Sequence, residues 1–74
     1  MSEVLDTKGL LCPLPVIRTQ DRIKHLGTGD ELTIVATDPG TLHDIPAWCR
    51  VHGHEVLKSS EEDDEYIFVV RVGD

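Results

Sequence analysis

The sequence predicts a two-layer α/β sandwich, an α+β arrangement in which a four-stranded mixed sheet carries two helices on one face. Three observations lead there. Two segments repeat apolar residues near helical spacing, four shorter ones suit strands, and their order along the chain is βαβαββ. Right-handed crossovers then place both helices on the same side of the sheet. A length of 74 residues allows one domain, spanning residues 1–74.

Taken in order, residues 4–7 are β-compatible and run into Lys8-Gly9, giving a first strand suited to a sheet edge. Residues 13–27 place Val16, Ile23 and Leu26 near helical spacing, with Ile17 beside them, and Gly27 closes the segment as a C′ residue. Residues 31–37 alternate Leu32, Ile34 and Ala36 with Thr33, Val35 and Thr37 before Asp38-Pro39-Gly40 breaks the strand as a turn. The second helix ends at Gly53 and carries Leu42, Ile45, Trp48 and Cys49 on one stripe. Pro46 would damage a helix interior, which predicts a start near Asp44 with Pro46 in the tolerant first turn. Residues 54–58 form a third strand and residues 66–72 a fourth, with the acidic run 61–65 as the hairpin connection. The fourth strand is apolar on both faces, so it belongs inside the sheet. The sheet face away from the helices would carry Thr33, Val35, Ile67 and Val69, a weakly apolar contact surface.

Composition narrows the function classes. The formal net charge is −7, from 14 acids and 7 bases. Residues 1–29 hold three acids and four bases, whereas residues 30–74 hold eleven acids and three bases. Such a chain repels phosphate backbones, which argues against direct nucleic-acid binding. The run Glu61-Glu62-Asp63-Asp64-Glu65 reads first as a solvated loop and second as a docking patch for a basic partner. No apolar run approaches the roughly 18–20 residues of a membrane-spanning helix. Met1-Ser2-Glu3 lacks the features of a secretory signal, so cytoplasmic residence is the expectation, and both cysteines should be thiols there. Domains of this size bury only about 60% of their extended-chain surface, which leaves little room for a deep cleft. Chemistry should sit on one surface residue or a few, in a carrier or interaction module rather than a self-sufficient enzyme.

Cys12-Pro13-Leu14-Pro15, at the junction of the first strand and first helix, is the most informative segment. A free cysteine near pKa 8.5 is only about 3% thiolate at neutral pH, so a reactive one needs help. A helix N-terminus offers unpaired N–H groups and the positive end of a dipole. With Pro13 as first helical residue, Cys12 is the N-cap and Leu14 the main first-turn N–H donor to the sulfur. With the start at Pro15, Cys12 lies on the approaching loop. In either register Lys8 and Arg18 are candidate sources of extra positive charge, and the prolines stiffen the presentation of the thiol.

Leu5-Asp6-Thr7-Lys8-Gly9-Leu10-Leu11-Cys12-Pro13-Leu14-Pro15 resembles the signature of the TusA (SirA-like) sulfur-carrier family. Ala36-Thr37-Asp38-Pro39-Gly40-Thr41, Asp44-Ile45-Pro46, and Cys49 followed by Gly53-His54-Glu55 are similar to further stretches in many members. The resemblance covers essentially the whole chain. It implies a βαβαββ sandwich like the C-terminal domain of bacterial translation initiation factor three. It also implies a persulfide carrier that needs no cofactor. Cys12 would take sulfane sulfur from a cysteine desulfurase or rhodanese-like donor and pass it to an acceptor protein, with Pro13 and Pro15 supporting its presentation. Family members serve tRNA thiolation, molybdenum-cofactor synthesis and sulfur oxidation. Asp6 and Gly9 match the signature in loop-shaping roles.

The rival reading is a non-catalytic interaction or regulatory domain with Cys12 as a redox-sensing thiol. Cys49, on the helical stripe, is a core thiol by default, and a resolving role would need proximity to Cys12. Cys49, His52 and His54 match no common zinc spacing. His25 and His43 read as surface residues near helix ends, and Trp48 as a core residue or a partner anchor. A monomer that docks transiently is the simplest expectation.

Overall fold

The computed structural model describes residues 2–73. Its elements are β1 (Ser2–Thr7), α1 (Leu14–Ile23), β2 (Glu31–Ala36), α2 (Thr41–Val51), β3 (Glu55–Glu62) and β4 (Glu65–Arg71). The sheet order is β1-β2-β4-β3. β1 and β2 are parallel, from Ser2 opposite Glu31 to Thr7 opposite Ala36. A parallel pair needs a crossover, and α1 supplies it. β4 runs antiparallel to both β2 and β3 and lies between them, as its two apolar faces require. β1 and β3 are the edges.

Alternation along the central strands builds the core. Leu32, Ile34 and Ala36 of β2 and Phe68 and Val70 of β4 are fully buried, together with Ile45 and Cys49 of α2. Leu5, Ile23 and Val72 complete the cluster, and Val16, Leu26, Trp48, Val56 and Tyr66 pack against it. Each fully buried aliphatic or aromatic side chain contributes about 1.5–3 kcal/mol as an upper estimate. The other set of β2 and β4, Thr33, Val35, Ile67 and Val69, stays partly exposed. Three buried threonines are satisfied: Thr7 Oγ1 donates to the Val35 carbonyl at 2.7 Å, Thr19 Oγ1 to Pro15 at 2.8 Å and Thr41 Oγ1 to Asp38 at 2.7 Å.

Three boundaries depart from the sequence reading. α2 starts at Thr41, not near Asp44, and keeps Pro46 inside the helix. The reason lies in Asp38-Pro39-Gly40, which does more than turn the chain. Gly40 already has helical dihedrals, and the Asp38, Pro39 and Gly40 carbonyls accept from the N–H groups of Thr41, Leu42 and His43 at 3.0–3.2 Å. Thr41 therefore takes the buried position, one turn before Ile45 and two before Cys49, while Leu42 is left 42% exposed. α1 is shorter than residues 13–27, because after Ile23 the chain tightens into bonds from His25 to Arg22 (3.0 Å) and from Leu26 to Ile23 (3.0 Å). The acidic run is mostly strand rather than loop. Glu61 pairs with Tyr66 and Glu62 with Glu65, leaving Asp63 and Asp64 (φ 48° and 64°) as the two-residue hairpin turn. Both central residues of that turn need positive φ, which aspartate tolerates better than most residues.

Candidate functional site

Parallel neighbours in a sheet end at the same edge, so the loops that follow β1 and β2 meet there. The first loop carries Cys12. Gly9 (φ 81°) takes the left-handed conformation that turns the chain out of β1, and its N–H donates to Thr37 Oγ1 of the second loop at 2.9 Å. Lys8 N–H donates to Asp6 Oδ1 at 2.9 Å, consistent with a loop-shaping Asp6. The Cys12–Pro13 peptide is cis.

α1 begins at Leu14, between the two registers open from the sequence. Pro13 is its N-cap and Pro15 lies within its first turn, buried. The Pro13 carbonyl accepts from Ile17 N–H at 3.1 Å. Leu14 N–H does not serve the sulfur, because it donates to the Leu11 carbonyl at 2.9 Å. The helix-start amide expected to stabilise a thiolate is thus already engaged.

What faces Cys12 is acidic. Its backbone N–H donates to Asp38 Oδ2 at 2.5 Å, and its Sγ–H donates to Asp44 Oδ2. Asp38 is a clamp: Oδ1 also accepts from Gly40 N–H at 3.1 Å, and its carbonyl accepts from both the N–H and the hydroxyl of Thr41. The approach is close, since a methyl group on Gly40 would lie 3.6 Å from Cys12 Cβ. The hydrogen bond to Asp44 favours the protonated thiol and, with the nearby negative charges of Asp44 and Asp38, pushes Cys12 up to about 11. This corrects the expectation of a lowered value. Of the two candidate sources of positive charge, Lys8 Nζ stands 3.9 Å from both Asp6 and Glu65 carboxylate oxygens, and Arg18 is exposed on α1.

The sulfur is nonetheless accessible. Cys12 is partly exposed, whereas Cys49 is fully buried, and burial pushes its thiol up to about 11. Around the two helix starts Leu11, Leu14, Ile17 and Leu42 are 73%, 43%, 46% and 42% exposed, apolar surface of the kind a transient partner covers. Trp48 packs partly against the core with its ring beside His52 and stacked on His54, at centroid distances of 4.7 and 5.2 Å. His25 and His43 are exposed.

Sequence reasoning named Cys12 and missed Asp38 and Asp44 as its neighbours. The usable signal was topological: a βαβ crossover predicts two parallel strands whose following loops converge, and Asp-Pro-Gly opens the second loop.

Residues 3–72 match the family described as Sulfurtransferase TusA. The sulfur carrier protein TusA of Pseudomonas putida is 41% identical over 68 residues, which cover 92% of this chain and 85% of that protein. A Neisseria meningitidis serogroup A protein, named as a candidate sulfur carrier, is 44% identical over 70 residues covering 95% of each chain. The crystal structure of a SirA-like protein from Desulfitobacterium hafniense superposes with a TM-score of 0.85 at 22% identity, covering 100% of both chains.

Proposed function

The chain belongs to the TusA family of sulfurtransferases and sulfur carriers, and from that membership we propose that it holds sulfane sulfur as a persulfide on Cys12 between a donor and an acceptor protein. The observation that carries this reading is the contrast between the two thiols. Cys12 stands partly exposed on the loop before α1, and Cys49 is sealed in the core. Only the first can meet a sulfur atom on another protein.

In the transfer, Cys12 Sγ attacks the outer sulfur of a donor persulfide, and the donor thiol leaves. An acceptor thiol then attacks the outer sulfur now on Cys12, and Cys12 leaves. Such a relay needs exposure, docking and a thiolate but no deep pocket; the exposed Leu11, Leu14, Ile17 and Leu42 suit docking, whereas Asp44 and Asp38 oppose the thiolate in the unloaded chain. Either a cysteine desulfurase or a rhodanese-like protein has the chemistry of the donor. A redox-sensing role fits less well. Sensing and relay both need the thiolate that the two carboxylates oppose, so it is the family membership that favours the carrier.

Incubation with a low concentration of a persulfide donor, followed by intact-mass measurement, tests the reading. One sulfur, a gain of about 32 Da, is expected on the wild-type chain and on Cys49→Ser, and none on Cys12→Ser. An adduct that survives Cys12→Ser and disappears in Cys49→Ser would overturn it.

A further inference from the structure

We propose that Asp44 is a positioning residue that locks the unloaded Cys12 sulfur as a hydrogen-bonded thiol, and that uptake of a second sulfur opens the lock. The inference rests on the persulfide reading above and concerns the control of that same atom.

The geometry has two parts. Cys12 Sγ–H donates to Asp44 Oδ2, from the first half of α2, and Cys12 N–H donates to Asp38 Oδ2, from the turn before it. Asp38 therefore holds the backbone of residue 12 in place while Asp44 holds its side chain. From the α1 side the Leu14 N–H is not available to the sulfur, since it is bound to the Leu11 carbonyl. The charged groups facing the thiol are Asp44 and Asp38, both of which favour its neutral form. A thiol held this way is exposed yet slow to react, because the reactive species is the thiolate.

Loading changes the hydrogen-bonding capacity of the sulfur. Cys12 Sγ bonds to the outer sulfur of the donor persulfide, the donor's S–S bond breaks, and the proton lost from Cys12 ends, in net balance, on the donor thiol. Cys12 thiol plus donor persulfide gives Cys12 persulfide plus donor thiol, with no net oxidation or reduction. Sγ now carries a sulfur where it carried a hydrogen, so it has nothing to donate to Asp44. The outer sulfur is more acidic than a thiol and, once ionised, is repelled by both carboxylates. The empty carrier is thus drawn in and quiet, and the full carrier is turned outward toward its acceptor.

The test is alkylation by iodoacetamide, an uncharged reagent, read at the Cys12 peptide in the full chain. Removing the carboxylate with Asp44→Asn takes away the hydrogen bond and one of the two facing charges, while Asp38 and desolvation remain, so the alkylation rate near pH 8 should rise by about threefold or more. On the chain loaded with one sulfur, the same substitution should give a clearly smaller gain, since the Sγ–H hydrogen bond is absent there and only the charge repulsion is removed. A gain below about twofold on the unloaded chain would overturn the proposal, and so would equal gains on both forms, which would indicate general opening of the loop. The wild-type pH–rate profile gives a second readout that needs no variant: its midpoint should lie well above that of a free cysteine, near 8.5, and a midpoint at or below that value contradicts the lock. The unloaded measurements require no sulfur donor. Failure to load the wild-type chain would remove the carrier reading and leave the lock measured on its own terms.

Discussion

The two cysteines differ in what surrounds them and should differ in what their removal does. Cys49→Ser places a hydroxyl at a fully buried position of the core, at a cost of about 1–3 kcal/mol, yet it leaves the Cys12 adduct intact. Asp38→Ala removes the acceptor for the N–H groups of both Cys12 and Gly40, and a loss of about 1–3 kcal/mol is expected in urea unfolding. Both thiols are held above their ordinary value in the folded chain, so the unfolded chain releases its thiol protons first. Their contribution to stability is full below about pH 9 and is lost as pH rises toward 11. The urea midpoint should fall across that window, and less steeply in the Cys12→Ser, Cys49→Ser double variant. The place of Cys12, on the loop just before a helix, was legible from its prolines, because residues that restrict their own backbone leave a local signature. Asp38 and Asp44 were not, since their meaning comes from how close the first loop lies to the turn before α2 and to α2's first turn, 26 and 32 positions away in sequence.

Helices and strands were legible where periodicity decides them, and less so where a turn merges into an element. β4 announced its central place through apolar residues on both faces, and the sheet order follows. Pro46 alone reads as a helix breaker, but the carbonyls of Asp38, Pro39 and Gly40 give α2 an earlier start that the proline's local signal does not show. Five consecutive acids read as loop in the sequence, although only Asp63 and Asp64 leave the strands. That turn gives an element-scale prediction. Replacing Asp63-Asp64 by Asn-Gly supplies residues better suited to positive φ and removes two like charges, so stability should rise by about 1 kcal/mol, seen as a higher urea midpoint. An unchanged or lower midpoint would show that the aspartates do more than turn the chain.

On the scale of the whole molecule, 74 residues give a total stability of only about 4–11 kcal/mol. Phe68, fully buried at the centre of β4, is the sole phenylalanine, and Phe68→Ala should cost about 3–5 kcal/mol. Circular dichroism should show that variant largely unfolded at 37 °C or melting without a sharp transition. So small a core explains why the chemistry proposed for this chain resides on one surface sulfur and is shared with the proteins that dock there. The relay itself is therefore the measurement that matters most: a persulfide-bearing donor, this chain and an acceptor thiol protein mixed in sequence, with intact masses followed over time. A gain of about 32 Da on this chain, then its loss matched by an equal gain on the acceptor, is the predicted course. Transfer that reaches the acceptor equally fast through the Cys12→Ser chain would contradict the account.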